Sequence, residues 1–189
     1  MKTPARRRVG LLLASLCLPL FAQAAETQPT HEFSLDNGLK VIVREDHRAP
    51  VVVSQLWYRI GSSYETPGLT GLSHALEHMM FKGSRKLGPG EASRVLRDLG
   101  AEENAFTTDD YTAYYQVLAR DRLPVALEME ADRMAHLSLP ADQFKSEIEV
   151  IKEERRLRTD DNPNALAFER FKAAAYPASG YHTPTIGWM

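Results

Sequence analysis

Gly71-Leu72-Ser73-His74-Ala75-Leu76-Glu77-His78-Met79-Met80-Phe81 predicts an amphipathic helix, running from Gly68 to Phe81, with reactive groups on its polar side. At about 100° of rotation per residue, Leu69, Leu72, Leu76, Met79 and Met80 fall on one apolar stripe. His74 and His78 fall nearly opposite, outside that stripe. Spaced i and i+4, their rings stand one turn apart on one face and can chelate a single ion. Glu77 lies close enough to activate a water held there.

The pattern is H-x-x-E-H, the reverse of the H-E-x-x-H zinc signature. An open hydrolytic zinc site needs a third protein ligand and a free position for water. The only cysteine, Cys17, falls in the apolar segment near the start of the chain. The third ligand must therefore be a carboxylate or another histidine. The helix predicted over Ala141 to Arg158 offers candidates. Its apolar stripe is Phe144, Ile148 and Ile151, and Glu147 and Glu154 share one face. Seven residues of helix separate their backbones by about 10.5 Å, so one carboxylate binds the ion and the other supports a ligand. An acidic helix paired with Arg155, Arg156 and Arg158 is the structural alternative.

Outward from these two helices, strands come first. Asn37-Gly38, between Phe33-Ser-Leu35 and Leu39-Lys-Val-Ile-Val43, is a hairpin signal. A longer strand is predicted over Val51 to Ile60, and two more over Glu102 to Thr108 and Tyr111 to Leu118. Further helices are predicted over Pro89 to Leu99, Leu123 to Leu137 and Asn164 to Ala175. The expected fold is α+β, a mixed sheet with helices packed on one face.

With 189 residues, 43% of them hydrophobic and 25% charged, the chain is that of an ordinary globular protein, and disorder and a polytopic membrane protein are excluded. Lys2, Arg6, Arg7 and Arg8 precede the apolar run Val9 to Phe21 with no acid among them, and Ala22-Gln23-Ala24 follows. That is the layout of a secretory signal peptide, residues 1–24. The run is shorter than the roughly 20 residues that span a bilayer. The expectation is export, to the bacterial periplasm, with no stable membrane anchor after cleavage. Residues 25–189 then form one domain, more acidic than the formal charge of −2 of the whole chain. Nucleic acid is not a fitting partner for such a surface.

The combination resembles the pitrilysin-like zinc peptidases, the inverzincins, which include insulysin and the mitochondrial processing peptidase. His74-Ala-Leu-Glu77-His78-Met-Met-Phe-Lys-Gly, with Glu154 76 residues beyond His78, carries the likeness. So do Asn37-Gly-Leu-Lys-Val-Ile-Val, Gly61-Ser-Ser-Tyr-Glu65, Asn104-Ala-Phe-Thr-Thr-Asp-Asp-Tyr-Thr-Ala-Tyr-Tyr and Pro184-Thr-Ile-Gly-Trp-Met. One departure is Gly100-Ala101, where the family has a glycine pair.

The resemblance implies one Zn2+ per chain, bound by His74, His78 and Glu154. Glu77 would be the general base, and Glu147 would support the site from behind a ligand. Asn104 and Ala105 would lie on the strand edge to which a peptide substrate adds as an extra strand. Family members enclose peptides between two homologous halves, so this chain is expected to be the zinc-bearing half, incomplete at its C-terminus, with a second half or subunit closing the chamber. A non-catalytic structural or assembly subunit of the same fold is the alternative, as is a zinc-binding module without turnover. The intact motif argues against the first. Glu77, which ligation does not require, argues against the second.

Overall fold

The computed structural model describes residues 29–189. The expected signal peptide lies outside them. The described chain forms two compact units, one ending at Arg48 and the other spanning Ala49–Met189.

In the first unit, β1 (Thr30–Ser34) and β2 (Lys40–Arg44) pair antiparallel, with Ser34 opposite Lys40. The Asn37-Gly38 turn joins them as expected. Gly38 takes a φ of 86°, and Asn37 Oδ1 accepts the Leu39 amide at 3.1 Å.

The second unit holds a sheet of three antiparallel strands in the order β3-β5-β4, with β3 Val51–Tyr58, β4 Glu102–Thr107 and β5 Thr112–Ala119. The α+β class is as expected. The sheet differs in detail, because every strand pairing among the described residues is antiparallel and the strands form two sheets. Parallel partners need a long crossover, whereas β1–β2 and β4–β5 are closed by short turns. β4 has β5 on one side only, which leaves it an open edge.

Among the described residues, five α-helices accompany the strands: α1 Leu72–Met79, α2 Glu91–Asp98, α3 Leu123–His136, α4 Ala141–Arg155 and α5 Pro163–Ala175. α5 begins at a proline and is capped by Asn162, whose Oδ1 accepts the amides of Asn164 and Ala165. α4 passes directly into a π-helical turn, Arg156–Asp160. None of the described helices is long and apolar enough to cross a membrane.

α1 is shorter than its sequence pattern and begins abruptly. Gly71 adopts a φ of 82°, and a Cβ there would come within 2.6 Å of the Ile186 carbonyl oxygen, so only glycine fits. The free amides of the first turn are taken by Glu65, whose two carboxylate oxygens accept from Gly71 and Ser73 at 2.7 Å each.

The core is small and partly polar. Met79, Leu96, Tyr114, Leu118 and Ile151 are buried. Among them Glu130 accepts from both Arg133 and Gln116, and the Arg133 guanidinium lies over the rings of Tyr114 and Phe81 at 4.6 and 5.2 Å. A second buried ion pair ties α4 to α5: Arg155 donates to both oxygens of Glu169 at 2.9 Å and to the Gly187 carbonyl at 2.8 Å.

The apolar stripe of α1 is only partly buried: Met79 and Met80 are inside, but its leucines are not. Leu72 and Leu76 are 49% and 42% exposed, whereas His74 is 7% exposed. The leucines line a groove of about 430 Å³ with Tyr58, Tyr64, Met134 and Leu137. The histidine face packs against α4 and β4 instead.

Candidate metal centre and active site

α1 and α4 are brought together by the faces that carry their polar residues. On α1, His74 and His78 stand one turn apart, with ring centroids 4.6 Å from each other. On α4, buried Ile151 separates Glu147 from Glu154, one turn to each side along the same face. Glu154 Oε2 lies 3.3 Å from His78 Nε2 and 3.7 Å from His74 Nε2. One ligand atom from each of the three residues lies within 4.8 Å of the others.

This donor set fits zinc. Bonds of about 2.0–2.1 Å in a tetrahedron put neighbouring ligand atoms about 3.3 Å apart, close to the two separations from Glu154. The Glu154 oxygen facing the rings is its Oε2; Oε1 is engaged by Arg158 at 2.6 Å. Zinc bound by three protein ligands retains an open position for water or substrate.

The other nitrogen of His78 explains Glu147. Nδ1 lies 2.9 Å from Glu147 Oε1, and Lys82 Nζ lies 2.6 Å from Glu147 Oε2. A bond from Nδ1 to Glu147 leaves Nε2, which faces Glu154, as the ring atom available to a metal. Burial pushes the Glu147 carboxyl up, but its bonds to Lys82 and His78 outweigh that and hold it below the ordinary carboxylate range. His74 is pushed down to about 4, first by burial and then by neighbouring His78, against the pull of Glu154. It therefore offers a neutral imidazole at neutral pH. Its Nδ1 is buried and has no partner among the described residues.

Glu77 is half-buried between the two ligand positions. Burial raises its pKa, and a hydrogen bond from the Thr107 hydroxyl to Oε2 opposes that rise. Thr107 ends β4, whose inward-facing residues are Glu103, Ala105 and Thr107. On the outward side, Asn104 Oδ1 accepts the Ala105 amide at 2.9 Å. Asn104 and Ala105 thus occupy the open edge of the sheet, on the strand that packs against α1.

The structure brings His74, His78 and Glu154 together as a donor set, with Glu77 on the same helix and Glu147 at His78 Nδ1, and it places Asn104 and Ala105 on β4, the strand whose Thr107 reaches Glu77. Lys82 and Thr107 were not anticipated. Lys82 lies four residues past His78, and Thr107 follows Asn104-Ala105-Phe106 with the right alternation, but only the tertiary structure supplies their partners.

The fold and donor set define the class, an H-x-x-E-H helix with a third candidate donor from a second helix, in a domain with an open sheet edge. Comparison with known proteins narrows it. Residues 40–187 match the protein family described as Insulinase (Peptidase family M16), and the chain belongs to that family. Zinc protease PqqE of Helicobacter pylori is 36% identical over 189 residues, covering 97% of this chain and 42% of that protein. The human mitochondrial cytochrome b-c1 complex subunit 1 is 34% identical, covering 93% of this chain and 35% of that protein. A crystal structure of a protease from Helicobacter pylori superposes with a TM-score of 0.84 at 34% identity, covering 86% of this chain and 39% of that one. The chain thus spans about two-fifths of the length of these relatives. One of them is named as a subunit of the cytochrome b-c1 complex and two as proteases, so the family alone does not decide turnover.

Proposed function

We propose that this chain is the zinc-bearing half of a metallopeptidase that hydrolyses peptides or small flexible polypeptides. The observation that supports this best is the convergence of His74, His78 and Glu154 within 4.8 Å, with Glu77 beside them. A subunit with a purely structural role has no need of that convergence. When bound, zinc supplies a Lewis acid for the scissile carbonyl and lowers the pKa of water toward about 7.

The chain's own residues do the rest. His74, His78 and Glu154 hold the ion, and Glu147 fixes the His78 ring through Nδ1. Glu77 accepts a proton from the attacking water and delivers it to the leaving amine. Asn104 and Ala105 on the β4 edge pair with the main chain of the substrate, which gives affinity with little demand on its sequence. A second homologous half or subunit closes over the bound peptide. The basic, apolar and small-residue segments of the first 24 residues direct export to the periplasm, and N-terminal sequencing of the recovered protein should start at or near Ala25.

Metal analysis combined with a quenched-peptide assay on the intact protein tests the reading. One zinc per chain, with hydrolysis abolished by a chelator, is expected. Zinc without hydrolysis would make this a binding module, and absence of both a structural subunit.

A further inference from the structure

Thr107 joins the edge strand to the carboxylate beside the metal cluster. It lies on the inward side of β4, and its hydroxyl donates to Glu77 Oε2. A hydroxyl has one proton, so its direction matters. Thr112 sits directly opposite Thr107 in the β4–β5 ladder and is buried. Its hydroxyl donates to the Ile60 carbonyl at 3.0 Å and stands 3.4 Å from Thr107 Oγ1. A carboxylate only accepts, so the Thr107 proton is the one that binds Glu77. Branching at Cβ stiffens the threonine side chain, which keeps the hydroxyl aimed.

We propose that Thr107 is a positioning residue that holds Glu77 in place for proton transfer. This rests on the peptidase reading, in which Glu77 moves the protons. By engaging Oε2, Thr107 leaves Oε1 for the reacting water. β4 is also the open edge on which a peptide would pair, so substrate docking and placement of the base depend on one strand.

The test is made on the intact protein with Thr107→Val, which removes the hydroxyl at nearly constant shape, and Thr107→Ser, which restores it. Thr107→Val should lower kcat by about 10- to 100-fold, with KM within about twofold and zinc content unchanged. Thr107→Ser should recover most of the loss. A readout independent of turnover comes from denaturant unfolding of the metal-free protein carrying Thr107→Val, Glu77→Ala or both. The two effects should be non-additive, because each variant removes the same bond. Additive stabilities, or wild-type kcat in Thr107→Val, would overturn the positioning role and leave the peptidase reading standing. An intact wild-type protein that binds zinc and cleaves no peptide would overturn the reading itself, and the role with it.

Discussion

Replacing Glu147 tests whether a residue that does not touch the ion sets how tightly the ion is held. Glu147 is 8% exposed, and its carboxylate spans two partners, His78 Nδ1 at 2.9 Å and Lys82 Nζ at 2.6 Å. Only the first bond bears on the metal. Glu147→Ala frees the imidazole to rotate and removes the acceptor that makes its Nε2 a better donor. Loss of such a support weakens metal binding by about 10- to 100-fold, or about 1.4 to 2.7 kcal/mol. Glu147→Gln keeps an acceptor oxygen and should lose less than about tenfold. Competition against a chromophoric chelator measures this directly, and thermal unfolding gives a second measure. At free zinc of about 1,000 times the wild-type Kd, the wild type gains about 4.1 kcal/mol, and a variant binding 100-fold more weakly gains about 1.4. Glu154→Ala should abolish tight binding, whereas Glu153→Ala should do little, since that side chain is exposed and paired with Arg156. Wild-type affinity in Glu147→Ala, or a loss as complete as that in Glu154→Ala, would refute the assignment.

Glu77→Gln should keep near-stoichiometric zinc and lose peptidase activity by at least about 100-fold, whereas His74→Ala loses both, as metal analysis beside the peptide assay will show. Glu169→Ala removes the bidentate partner of buried Arg155, leaving it only the Gly187 carbonyl and Asp160 at 3.5 Å, and should cost about 3 kcal/mol in denaturant unfolding. Gly71→Ala forces a side chain into a left-handed conformation against the Ile186 carbonyl and should destabilise the protein by about 2 kcal/mol or more, seen as a lowered Tm.

What could be read from the sequence followed from local chemistry. Asn37-Gly38 names its turn, and the i, i+4 histidines their shared face. The choice between Glu147 and Glu154 was different. Spacing showed only that one binds and one supports, and the resemblance assigned them. In the structure Glu154 Oε2 lies near both Nε2 atoms and Glu147 Oε1 at Nδ1 of His78. Other features depend on contacts between distant segments. The leucine stripe of α1 lines a groove because the polar face of that helix meets α4 and β4. The helix starts late because Gly71 is held against Ile186 and Gly187. The π-helical turn after Arg155 interrupts a pattern that reads as one helix to Arg158. Thr107 and Lys82 are ordinary in composition, and their roles arise only from what they meet.

The three ligand positions differ in how far they are apart along the chain. His74 and His78 are available as soon as α1 forms one turn, but Glu154 arrives only after α2, β4, β5 and α3 have been placed between them. Two neighbouring imidazoles alone form a weak and unselective chelator, so under the proposed ligand set tight metal capture would mark the completion of the tertiary fold. Closing so long a loop costs little more than closing a shorter one, because the entropy grows only logarithmically with length. The bound ion would then act as a late clasp between α1 and α4, and a chelator should loosen that helix contact before it disturbs the hydrogen-bonded sheet.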